Sequence, residues 1–155
     1  MNRLYKSYTD KQPLSGGLID YVKSVVSNKD ATVYVGTDSA VKGKYVHYAV
    51  VVALRYKQKG AHVVYRRIKL PRKVIRNNYD RLFKETEFSV ELANYLRESG
   101  VYIEAVELDY NQDETRFSSR LINVCEGWCK GLEYKTITKP DAMIAARAAD
   151  KICNT

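Results

Sequence analysis

Ala49-Val50-Val51-Val52-Ala53-Leu54 is an unbroken apolar run near the middle of the sequence. Successive side chains of an extended strand point to opposite faces, so an unbroken apolar run buries both faces and belongs in the middle of a covered sheet. The run grows outward into a long strand over residues 44–56. Before it, residues 31–38 read as a strand built on Val33, Tyr34 and Val35 and ended by Gly36-Thr37-Asp38-Ser39. After it, a turn at 57–60 leads back into a third strand over 61–70, which Pro71 ends. Three strands joined this way form an antiparallel meander.

Further along, the periodicity predicts a helix over 80–97 stopped by Gly100 and a fourth strand over 101–109 beside the first. It then predicts a helix over 114–130 closed by Gly131, a fifth strand over 134–138, and a last helix from Pro140 to Ile152. Leu18, Tyr21, Val22, Val25 and Val26 form an earlier helical stripe. The order, one helix followed by β-β-β-α-β-α-β-α, predicts an α/β fold with a mixed five-stranded sheet and two right-handed crossovers. Residues 1–30 read as an N-terminal extension whose helix packs on a domain spanning 31–155.

The chain has 155 residues, 45% apolar and 28% charged, which suits one folded domain and excludes a disordered chain. No apolar run nears the ~20 residues of a membrane span, and the first thirty residues lack a signal-like stretch, so a cytoplasmic protein is expected. Cys125, Cys129 and Cys153 do not make a disulfide framework. Cys125 and Cys129, four apart on one helical face, read as small core residues rather than zinc ligands. The net charge is +8, and between Ser39 and Tyr79 there are eleven Lys and Arg and no acid. A cationic stripe beside an otherwise acidic chain points to a polyanion. Lys42, Lys44, Arg66, Arg67, Arg72, Lys73 and Arg76, interleaved with tyrosines, are the residues expected to bind nucleic acid through its backbone.

Acids fall where the elements end. Asp38 closes the first strand, Asp109 the fourth, and Asp141 opens the last helix. Ligands of open α/β sheets sit beyond the carboxyl ends of parallel strands, so the three are expected to converge. On the helix 80–97, Glu85 shares a stripe with Phe88, Ser89, Leu92 and Leu96, Glu91 lies on a polar side, and Glu87 lies between. Glu85 is the choice and Glu91 the reserve. Asp141 and Asp150 are about 900° apart around a helix, and Asp141 is the nearer to the strand ends, which leaves Asp150 a structural role. Crowded carboxylates repel unless a cation neutralises them, and an all-oxygen set suits Mg²⁺ or Mn²⁺. Two such ions about 4 Å apart can activate water and stabilise the leaving oxygen of a phosphodiester.

Val35-Gly36-Thr37-Asp38-Ser39, Glu85-Thr86 with Ser89-Val90-Glu91-Leu92-Ala93, Leu108-Asp109, and Lys139-Pro140-Asp141 with Ala149-Asp150 resemble the YkuK-type family of ribonuclease H-like domains. The resemblance runs from about Val33 to Lys151. It implies a ribonuclease H-like fold and two Mg²⁺ or Mn²⁺ ions held by Asp38, Glu85, Asp109 and Asp141. Asp38 would bridge the ions in the hydrolysis of RNA, DNA or a hybrid to a 3′-hydroxyl and a 5′-phosphate. Glu107, one pleat before Asp109, is a further acid whose role the resemblance leaves open. The rival expectations are a non-catalytic nucleic-acid-binding module on the same fold and an interaction protein whose acids are structural.

Overall fold

The computed structural model describes residues 1–110, 116–138 and 143–155. β1 (Lys6–Ser7), β2 (Thr32–Lys42), β3 (Tyr45–Arg55), β4 (Ala61–Pro71), β5 (Ala105–Leu108) and β6 (Thr136–Thr138) form one mixed sheet in the order β1-β4-β3-β2-β5-β6. β2, β3 and β4 are the expected antiparallel meander, β5 lies parallel beside β2, and β6 lies parallel beside β5. The helices are α1 (Leu18–Lys29), α2 (Asn78–Glu98), α3 (Arg116–Gly131) and α4 (Ala145–Cys153).

β3 is the two-sided strand that its sequence predicts. Val50, Val52 and Leu54 pack with Leu18, Val22, Leu92, Leu96 and Leu121 on the face covered by α1, α2 and α3. Ala49, Val51 and Ala53 pack with Ala145, Ala149, Ile152 and Cys153 of α4 on the other. Small residues on this second face let one helix lie close to the strands. The closest approach is at Gly36, where an added Cβ would stand 3.1 Å from the Ala146 backbone nitrogen and 3.2 Å from the Ala145 Cβ. Gly36→Val is therefore expected to lift α4 from β2 and to cost about 2–3 kcal/mol, read as a lower urea midpoint at unchanged slope.

Four expectations are corrected. The sheet has six strands rather than five, because Lys6–Ser7 pairs with Val64 and Tyr65 at the β4 edge. Two residues carry no periodicity to read, and burial of Tyr5 holds the segment there. β2 does not end at Gly36-Thr37-Asp38-Ser39; those residues stay in register with Val51, Val50, Ala49 and Tyr48, and the hairpin turns at Gly43, whose φ is +61°. An eleven-residue ladder outweighs the turn preferences of four residues. β5 begins at Ala105, four residues later than expected, and Asp109 is the first residue past it. α4 begins at Ala145 and not at Pro140; Asp141 and the expected start of α3 at Glu114 lie outside the described residues.

α2 starts two residues early because the Asn77 side chain accepts a hydrogen bond from the Asp80 backbone nitrogen at 2.8 Å. Cys125, Cys129 and Cys153 are buried free thiols. Among the described residues no helix is long and apolar enough to cross a membrane.

Candidate functional site

The site is organised by alternation along β2. Thr37 and Ser39 face α2: the Thr37 and Ser89 hydroxyls are 2.8 Å apart, and Ser39 Oγ donates to Glu85 Oε2 at 2.5 Å. Gly36 and Asp38 point to the opposite, α4-covered face. Gly36 is the last β2 residue paired with β5, opposite Glu107, so two residues onward bring Asp38 level with Asp109. The helix stripe on α2 places Glu85 inward and buried, whereas Glu91 is exposed and Glu87 pairs with Lys84 at 2.8 Å.

Arg81, one turn before Glu85, completes its surroundings. Its Nη1 donates to Ser39 Oγ at 2.9 Å and stands 3.9 Å from Glu85 Oε2, so a relay runs from guanidinium through hydroxyl to carboxylate. Burial and the charge of Asp38 nevertheless push the Glu85 carboxyl well above the ordinary range, with Ser39 and Arg81 opposing and Asp109 adding to the rise.

Glu107 is fully buried and acts as a cap for α4. Its Oε1 accepts from the Ile144 nitrogen at 2.6 Å and its Oε2 from the Ala145 nitrogen at 2.7 Å. A carboxylate at the positive end of a helix is favourable, and it anchors α4 to β5. Burial raises the Glu107 carboxyl, those backbone N–H groups pull it down, and Asp109 contributes a smaller rise.

From that anchor α4 starts over Gly36 and runs across the sheet until the Cys153 thiol donates to the Asp38 carbonyl at 3.2 Å and Thr155 Oγ1 accepts from Arg67 Nη2 at 3.4 Å. This course carries Asp150 toward Asp38, near enough to raise the Asp38 carboxyl. Burial, followed by Asp150 and Asp109, pushes the half-buried Asp38 carboxyl up to about 7, although the Ser39 backbone N–H opposes the rise. Asp109 and Asp150 thus raise Asp38, and Asp38 and Asp109 raise Glu85, so acids remote in sequence are linked through Asp38.

Asp150, expected from the sequence to be structural, lies beside Asp38, and Ser39 and Arg81 are partners of Glu85 that the sequence pattern does not single out. A signal for Asp150 existed: it lies four residues after Ala146 and three before Cys153, both of which turn to the sheet. The one-turn spacing of Arg81 and Glu85 was equally visible.

Among the described residues, no three of His, Cys, Asp and Glu form a group that could hold a metal ion as they stand. The donor chemistry does suit a hard cation. The acids offer only oxygen, and the repulsion that Asp109 and Asp150 exert on the Asp38 carboxylate is of the kind a divalent ion relieves.

The cationic residues divide between the two faces. Arg67 lies opposite Ala49 and so shares the face of Asp38, while Arg66 lies opposite Val50 and faces the α2 side. Lys44, Arg72 and Lys73 line a cavity of about 610 Å³ with Gly43, Tyr45 and Pro71 beyond the strand ends. Lys42 closes β2 beside them, opposite Tyr45. Arg76 pairs with Asp80 at 3.4 Å.

Comparison with known proteins yields one family: the model described as Ribonuclease H-like matches residues 17–154. No curated protein matches the chain.

Proposed function

The chain belongs to the ribonuclease H-like family, of the YkuK type, and we propose that it is a divalent-metal-dependent nuclease hydrolysing phosphodiester bonds of RNA or DNA. The observation that carries this reading is the convergence of Asp109, from the end of β5, and Asp150, from α4, on Asp38 of β2, with Glu85 of α2 acted on by Asp38 and Asp109. Asp38, Asp109 and the last-helix acid Asp150 would hold Mg²⁺ or Mn²⁺ in a two-ion arrangement, with Glu85 joining from the α2 side; Asp141 is an additional candidate from the segment before α4. Bound there, such ions supply an activated water and charge neutralisation at the reacting phosphate.

The remaining work belongs to the chain's own groups. Ser39 and Arg81 hold the Glu85 carboxylate in one orientation. Glu107 fixes the start of α4 and hence the position of Asp150. Lys42, Lys44, Arg67, Arg72 and Lys73 attract the polyanion toward the acids, whose charge would otherwise repel it.

The test is incubation of the purified protein with labelled single-stranded, duplex, hybrid and branched nucleic acids in Mg²⁺ or Mn²⁺. Cleavage that requires the cation and is lost in Asp38→Asn is the expected result. Salt-sensitive binding without cleavage of any substrate would replace this reading with that of a non-catalytic nucleic-acid-binding module.

A further inference from the structure

The sheet face that carries Asp38 continues past α4 toward the β2–β3 hairpin. Residues directly opposite one another on neighbouring antiparallel strands share a face. Asp38, Ala49 and Arg67 therefore form one rung, Ala40, His47 and Lys69 the next on that face, and Lys42, Tyr45 and Pro71 the one after. Each step between these rungs spans two residues, or about 7 Å.

Lys42, Arg67 and Lys69 are exposed, and His47 is half-buried between them. Burial and then the charges of Lys42, Lys69 and Arg67 hold the His47 imidazole below its ordinary value, so the three cations surround one ring. Lys69 Nζ stands 3.9 Å from the Tyr45 ring centroid. Among the described residues none of the three cations has an ion-pair partner. No acid occurs between Ser39 and Tyr79 to provide one nearby in sequence. Like charges gathered without a counter-ion cost electrostatic energy, which a bound anion relieves.

We propose that Arg67, His47, Lys69 and Lys42 form a phosphate-binding track that takes successive backbone phosphates of a single nucleic-acid strand leading away from Asp38. The proposal deepens the nuclease reading and rests on it for the choice of Asp38 as the cleavage point. The track reads the backbone: its rungs present cations and an imidazole, and its one exposed ring, Tyr45, offers a sequence-tolerant stacking face at the far end. It continues into the cavity lined by Lys44, Arg72 and Lys73.

The experiment measures anisotropy of fluorescein-labelled oligo-dT and oligo-rU in EDTA across a salt series. Arg67→Ala and Lys69→Ala are each expected to weaken binding by about 5- to 10-fold and to lower the salt slope by about one. Lys59→Ala, an exposed cation at the opposite end of the sheet, should bind as the parent does. In parallel, the His47 ring resonances are followed by NMR as pyrophosphate is added; they should move in the parent and stay fixed in Lys69→Ala. Parent-like binding by both track variants, together with a His47 signal that pyrophosphate does not move, overturns the track even if the protein cleaves. An intact track on a protein that cuts nothing overturns the nuclease reading instead. A parent that binds neither oligonucleotide nor pyrophosphate overturns both.

Discussion

Asp38→Asn should remove divalent-dependent cleavage by a factor on the order of 10³ or more while making the metal-free protein harder to melt above neutral pH. The two effects share a cause. Burial and the neighbouring acids raise the Asp38 carboxyl from an ordinary 3.8 to about 7. Between those values the folded state keeps a proton that the unfolded chain has released, so folding stability falls as pH rises through this window and stays low above it. Asparagine has the same shape and no charge to bury. The variant's melting temperature should therefore match the parent's near pH 4 and exceed it by a few degrees at pH 8. Mn²⁺ should reverse the order, because a ligand stabilises only a native state that binds it. Melting curves between pH 4 and 9, with and without Mn²⁺, check this. A variant that Mn²⁺ stabilises as much as the parent would remove Asp38 from the cation site.

Glu107→Ala should be the most damaging single truncation among the acids. Glu107 is 1% exposed, and both its oxygens are occupied by backbone N–H groups at the start of α4. Alanine leaves those donors buried without an acceptor and opens a void, for a loss of about 3–5 kcal/mol. With nine residues, α4 is too short to persist as a helix without its anchors. Its detachment would withdraw Asp150 from Asp38 and uncover Ala49, Val51 and Ala53. Glu107→Gln keeps one acceptor and should lose about half as much. Urea unfolding gives the two energies, and Mn²⁺ titration of the glutamine variant tells a helix anchor from a cation ligand. A loss below about 1 kcal/mol for the alanine variant would mean that α4 is held by other contacts.

The α2 glutamates show how far local pattern reaches. Helical rotation separates Glu85 from Glu91 correctly because a helix that packs on a sheet has one inner side, and its sequence must mark that side with apolar residues. The same logic makes β3 legible as the central strand and orders β2 to β4 as a meander. It fails at β1, where two residues have no period. It fails also at Gly36-Thr37-Asp38-Ser39, where pairing with β3 keeps residues with turn preferences extended.

The residues alone mark the long strands and helices, the inward side of α2 and the uneven charge, since each is a property of neighbours along the chain; the parallel seat of β5 beside β2 follows from the strand-helix-strand order. Only the tertiary structure decided that α4 begins at Ala145 on the Glu107 carboxylate, crosses Gly36 and brings Asp150 to Asp38. It also decided that Arg67 shares the Asp38 face while Arg66 does not. The start and tilt of a short helix depend on a cap 38 residues upstream and on the missing Cβ of Gly36. The face of a strand residue depends on its register with another strand, and neither partner is specified by the residues beside it.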